Sequence, residues 1–155
     1  MNAEAILHLL DTDAVLEQRS DGYWATLPDL DVHAMAELML ANGVRFITLT
    51  AMPDASGGLR VMYHWDVEDA LLNISTTVTG GSIPTISDIL PAADWVEREI
   101  RDYYALEFEG RAETPTLILQ DGDEPGLFSR TRKLGKDTDP AQTARDAVAA
   151  DSEGA

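Results

Sequence analysis

Between Val44 and Val78 the chain repeats one pattern three times: a run suited to a strand, then a short break. Val44 to Ala51 is rich in β-branched and aromatic residues. Leu59-Arg-Val-Met-Tyr-His-Trp-Asp alternates, with Leu59, Val61, Tyr63 and Trp65 on one face. Leu72, Ile74, Thr76 and Val78 alternate with Asn73, Ser75 and Thr77. Successive strand side chains point to opposite faces, so a period of two marks a sheet with one buried side. The linkers, Asp54-Ala-Ser-Gly-Gly and Asp66 to Ala70, are both short. Short linkers join antiparallel neighbours, so the pattern predicts a three-stranded meander closed by Gly80-Gly81.

The flanking segments follow other rules. Ala3 to Leu10 is a short apolar helix candidate stopped at Asp11. Ala14 to Arg19 and Tyr23 to Leu27 flank Ser20-Asp21-Gly22, which predicts a hairpin. A helix is expected from Asp31 or Val32 to about Ala41, with Asn42-Gly43 as its stop. After Pro84 the period changes to that of helices. Thr85 to Leu90 is expected to form a short helix capped by Thr85. A second helix is expected from Pro91 or Asp94 to about Leu106, with Asp94 and Glu97 as a capping box. Its apolar stripe is Val96, Ile100, Tyr103 and Tyr104. Glu97–Arg101 and Arg98–Asp102 are candidate pairs one turn apart. Thr116 to Leu119 is a candidate last strand. The order of elements gives an α+β fold: a single domain over 1–128, with a small mixed or antiparallel sheet and helices packed on one side. Residues 129–155 are expected to be a flexible, polar, acidic tail.

Charge and composition remove whole classes of function. The 155 residues hold 28 acidic and 11 basic side chains, a formal charge of −17. Such a polyanion repels nucleic acid and anionic lipid. Cysteine is absent, which excludes disulfides, thiol nucleophiles and cysteine-held zinc or iron–sulfur clusters. The first residues have no basic region before an apolar run, so no signal peptide is expected. No stretch approaches the ~20 apolar residues of a membrane span. A cytoplasmic chain is expected, with any membrane association supplied by other proteins.

Catalytic patterns are scarce. Dinucleotide, Walker-type and nucleophile-elbow motifs are missing. Gly57-Gly58 and Gly80-Gly81 read as turns. His8, His33 and His64 lie in different elements and share no ligand spacing. Asp121-Gly-Asp-Glu-Pro-Gly fails as a calcium loop, because Pro125 and Arg132 stand where ligands belong. Glu97, Glu99 and Asp102, beside Arg98 and Arg101, leave three readings open. They are an acid–base pair built on Glu99 and Asp102, a helix laced with salt bridges, or a surface presented to another protein. Trp95, Tyr103, Tyr104 and Phe108 fall within fourteen positions of one another. Aromatics next to arginines are the material of binding hot spots, and a core this small is not expected to absorb all four.

The stretch Trp95-Val-Glu-Arg-Glu-Ile-Arg-Asp-Tyr-Tyr-Ala-Leu-Glu-Phe-Glu-Gly resembles a family signature. The family is the small hydrophilic C-type component of proton-pumping NADH-quinone oxidoreductase (complex I). It includes the equivalent component of membrane-bound, energy-converting [NiFe]-hydrogenases. Trp95, Glu97, Arg98, Glu99, Asp102, Tyr103, Tyr104, Phe108 and Gly110 match. The approach from Ile83 to Asp94 and the strands before it also resemble the family, so the likeness covers about 40 to 128. Four features depart from it. Ala105 replaces a glycine, Arg111-Ala112 a His-Pro pair, and Pro115 an arginine; a Pro-Leu-Arg-Lys-Asp stretch is not recognisable around Gly126 to Lys133. The last departure leans toward the hydrogenase or another divergent branch.

The resemblance implies a subunit that binds no cofactor and has no chemistry of its own. It implies packing against the large [NiFe]- or quinone-site subunit, near the iron–sulfur subunit, on the cytoplasmic face of the membrane without insertion. The nine matching residues are then interface candidates. Trp95 and Tyr103 would sit in apolar pockets within the domain or across the interface. Arg98 would pair with its neighbouring glutamates, and Phe108 and Gly110 would close the helix exit. A free-standing assembly or interaction module is the alternative.

Overall fold

The computed structural model describes residues 2–128 apart from 11–12, 69 and 112–114. The expected tail, 129–155, lies outside the described residues. The chain opens with α1 (Ala3–Leu9), whose N-cap Asn2 accepts the amide of Ala5. Next comes the predicted hairpin, β1 (Glu17–Arg19) and β2 (Gly22–Thr26), which is antiparallel. Then α2 (Val32–Ala41) is capped by Asp31, whose carboxylate accepts the amide of Ala34. The meander follows: β3 (Arg45–Pro53), β4 (Leu59–Val67) and β5 (Ala70–Val78), antiparallel throughout.

One pairing turns the meander into a mixed sheet. The hairpin docks through β2 alongside β5 in parallel, which gives the strand order β1-β2-β5-β4-β3. Gly22 permits this approach. Its φ is +129°, and a Cβ there would lie 2.5 Å from the Leu71 carbonyl oxygen. No side chain fits that space.

The two faces of the sheet differ as the alternation requires. Leu49, Val61, Tyr63, Trp65, Leu72 and Ile74 are buried on one face. They form one core with Ile6 and Leu7 of α1, and with Val32, Met35 and Met39 of α2. The other face is polar. There Asn73 and Ser75 are buried, and each donates to a β2 backbone carbonyl, of Tyr23 and Ala25 respectively. His64 bridges Asn73 and Thr50 at 2.6 and 2.9 Å, so it is a hydrogen-bonded strand residue.

Past the meander, β6 (Ser82–Pro84) pairs in parallel with β7 (Glu107–Glu109) as a separate two-stranded sheet. A 3-10 turn (Pro91–Ala93) leads into α3 (Asp94–Tyr104) between these strands. Four sequence expectations fail here. Thr85 to Leu90 is a turn, because Pro91 forces Leu90 out of helical geometry, to φ −124° and ψ 88°. Asp94 and Glu97 form no capping box: the N-cap is Ala93, with no side-chain cap. Both carboxylates are drawn instead to Arg111. The pairs Glu97–Arg101 and Arg98–Asp102 do not form, since each of the four side chains finds another partner. Thr116 to Leu119 is a loop, its amides taken by the Asp102 carboxylate rather than by a strand.

Candidate functional site

The signature residues of α3 divide into an inward and an outward set. The inward set starts with Glu97, whose side chain is fully buried. Its Oε2 accepts from Arg111 Nη1 at 2.8 Å and from the Thr85 hydroxyl at 2.6 Å, and its Oε1 accepts the Ile86 amide at 2.8 Å. The same guanidinium pairs with Asp94. Asp102, also buried, accepts the amides of Leu117 and Ile118 at 2.8 Å and of Leu119 at 3.3 Å on Oδ2. Arg98 donates to the carbonyls of Pro115 and Thr116, at 3.0 and 3.2 Å. Its carboxylate partner is Asp94, at 3.7 Å, not the flanking Glu97 or Glu99. Phe108 is buried on β7, and Gly110 leaves that strand with φ +83°. These residues hold the loops before and after α3 against it.

The outward set is smaller. Trp95 is 67% exposed, so it occupies no pocket within the described domain. Glu99 lies one turn further along the helix on the same side. It is half-buried and has no hydrogen-bonding or ionic partner among the described residues. Tyr103 comes one turn later and stacks on Phe128, with ring centroids 4.5 Å apart. Tyr104 meets Phe128 edge-on at 5.3 Å and packs against the core. Phe128 is itself exposed. A tryptophan, an unpaired carboxylate and a stacked aromatic pair thus lie along one edge of α3.

Acid–base chemistry finds little support in this arrangement. Asp102 is sealed under three backbone amides, and Glu99 and Asp102 line neither the groove of about 570 Å³ beside α2 nor the one of about 780 Å³ beside the β1–β2 hairpin. Tyr63 is buried with its hydroxyl unpartnered. Burial, and then the charge of Glu97, push its pKa up, so it stays protonated. Among the described residues no cluster of three or more His, Asp or Glu is placed to hold a metal ion. Sequence reasoning misses two members of the inward network. It takes Arg111 only as a departure from the family pattern, and Thr85 as a helix cap. Neither lies at a helical or strand spacing from Glu97 that would signal the contact.

Comparison of this mixed-sheet α+β domain with known families gives its class: a small subunit of the respiratory-chain NADH dehydrogenase type. The profile of that family, described as "Respiratory-chain NADH dehydrogenase, 30 Kd subunit", matches residues 26–128, and the chain belongs to it. Two similar proteins are C/D subunits of NADH-quinone oxidoreductase. The one from Phocaeicola vulgatus is 37% identical over 79 residues, covering 48% of this chain and 15% of the relative. The one from Bacteroides thetaiotaomicron is 37% identical over 93 residues, covering 57% of this chain and 16% of the relative. The chain therefore spans only a small part of the length of these relatives. In structure it is similar to the trypsin-resistant fragment (1–134) of Nqo5, with a TM-score of 0.60 and 20% identity. That match covers 74% of this chain and all of the fragment, and it concerns the fold.

Proposed function

We propose that this chain is a non-catalytic structural subunit of a complex-I-like, membrane-associated oxidoreductase, and that it docks on the large catalytic subunit through the outer edge of α3. One observation carries the reading: Trp95 stands 67% exposed while Glu97 and Asp102 of the same signature are committed to internal contacts. A large exposed aromatic beside an unpaired carboxylate is the composition of an interface anchor. The partners in this reading are the large quinone-site or [NiFe] subunit and the adjacent iron–sulfur subunit. The chain is held at the cytoplasmic face of the membrane by them; no described helix is long and apolar enough to cross a bilayer. The named relatives favour NADH-quinone oxidoreductase as the parent complex over a hydrogenase.

The test is purification of the membrane complex through a tag on this chain, with its subunits quantified. Stoichiometric recovery with a cluster-binding large subunit is expected, and Trp95→Ala is expected to lower it. Turnover by the isolated chain, or its absence from the mature complex, would overturn the proposal. The second result would favour an assembly factor.

A further inference from the structure

α2 is apolar on two sides. One stripe, Val32, Met35, Ala36 and Met39, is buried in the core. A second, made by exposed Ala34 and half-buried Leu38, lines a groove of about 570 Å³. The groove runs between the end of α1 and the β2–α2 loop, with Leu9, Leu27 and Leu30 among its other apolar lining. Leu9 remains 49% exposed there. Leu38 and Leu30 pack on the edge of the core, whereas Leu9 and Ala34 leave apolar surface in the groove open to solvent, the kind of surface that marks an interaction site.

The rim carries one sign of charge. Asp13, Asp29 and Asp31 border the groove, and no Lys, Arg or His among the described residues lines it. Asp31 spends one carboxylate oxygen on the Ala34 amide. Asp13 and Asp29 are exposed and have no cationic partner among the described residues. An apolar floor inside an anionic rim is complementary to apolar side chains flanked by cations.

We infer that this groove is a docking site for a basic amphipathic segment of a partner protein. Its leucine-like side chains sit between α1 and α2, and its Lys or Arg side chains meet Asp13, Asp29 and Asp31. The site is separate from the outer edge of α3, and the inference does not rest on the function proposed above.

The experiment measures binding of a fluorescent Leu/Lys amphipathic peptide to the full chain by anisotropy, with a Leu/Glu peptide of the same pattern as control. Ala34→Trp fills the groove from an exposed helix position, and Leu38→Gln serves as a second reporter should that variant misfold. The double variant Asp13→Asn/Asp29→Asn removes rim charge, and Asp121→Asn/Asp123→Asn removes the same charge elsewhere. Binding of the Leu/Lys peptide alone is expected. Its affinity should fall about tenfold or more in the groove and rim variants and stay within about twofold in the distant pair. Equal losses in both charge pairs would reduce the binding to attraction by a polyanion and overturn the inference. Undiminished binding with the groove filled would do the same. Dimerisation abolished by Ala34→Trp would instead assign the groove to a second copy. Tighter binding to a chain ended at Phe128 would assign it to residues 129–155. Either result replaces the proposed partner.

Discussion

Glu97 and Arg111, fourteen residues apart, form an ion pair with 2.8 Å between Oε2 and Nη1. The carboxylate side chain is wholly buried, and the guanidinium is 8% exposed. Both carboxylate oxygens are engaged, so the pair ties α3 to the turn after β6 and to the residue that follows Gly110. Its value is best judged by what breaking it leaves behind. Arg111→Ala strands a buried carboxylate and is expected to cost about 3–5 kcal/mol in urea unfolding. A double variant, Glu97→Leu with Arg111→Met, removes both charges and should recover much of that loss. Recovery will be incomplete, because the Thr85 hydroxyl and the Ile86 amide lose their acceptor at about 1–3 kcal/mol per buried group. Equal destabilisation in the single and double variants would show that the charge pair is not the source.

Ala105 ends α3 in the left-handed region, at φ 58° and ψ 30°. Its amide closes the helix on the Arg101 carbonyl at 2.8 Å. The family signature has a glycine at this position, and the backbone explains that choice: a Cβ is disfavoured where φ is positive. Ala105→Gly is therefore expected to stabilise the domain by about 0.5–1 kcal/mol, the relief of strain being partly offset by a more flexible unfolded chain. A lowered melting temperature would contradict this account.

Trp95 gives the opposite contrast between size and stability. A buried tryptophan would cost about 3–5 kcal/mol on truncation to alanine. At 67% exposure, Trp95→Ala is expected to leave the stability of the isolated chain within about 0.5 kcal/mol of wild type. Under the proposed function the loss moves to the complex and shows as reduced co-purification with the large subunit. Clear destabilisation of the isolated chain would show that Trp95 has a packing role within the domain.

What is legible in the sequence is local. The alternation through Leu59–Trp65 identifies the buried face of β4, because strand period depends only on neighbours along the chain. The stop at Asn42-Gly43 ends α2 for the same reason. The parallel pairing of β2 with β5 is not legible, since Tyr23 and Leu72 meet across almost fifty residues with no local mark of it. The site divides along the same line. The signature locates α3, but which of its carboxylates turn inward depends on Thr85, Arg111 and the 117–119 amides, all beyond the helix. Glu97 and Asp102 therefore read as surface charges until the loops around them are in place.

His33 and Asp88 offer a pH-dependent link between α2 and the turn before α3. The imidazole Nε2 lies 3.0 Å from Asp88 Oδ2, and Nδ1 lies 3.8 Å from Glu37. The hydrogen bond to Asp88 comes first in raising the His33 pKa above its usual 6.5, and the charges of Asp88, Glu37 and Asp31 add to it. The same bond to His33 comes first in lowering the Asp88 pKa below 3.8. A raised histidine pKa means that the folded state holds its proton more tightly than the unfolded one. Its contribution is therefore complete below about pH 6.5 and is lost as pH rises through the folded value. For Asp88 the sign reverses: its contribution is present above about pH 3.8 and is lost as acid protonates the folded carboxylate. His33→Gln should flatten the fall in stability just above pH 6.5. Well above the folded histidine pKa, variant and wild type should differ only by a small constant offset. Both side chains are substantially exposed, so added salt should shrink the wild-type slope. Thermal unfolding across this range, with and without salt, checks both statements; an unchanged slope in the glutamine variant would assign the titration to another group.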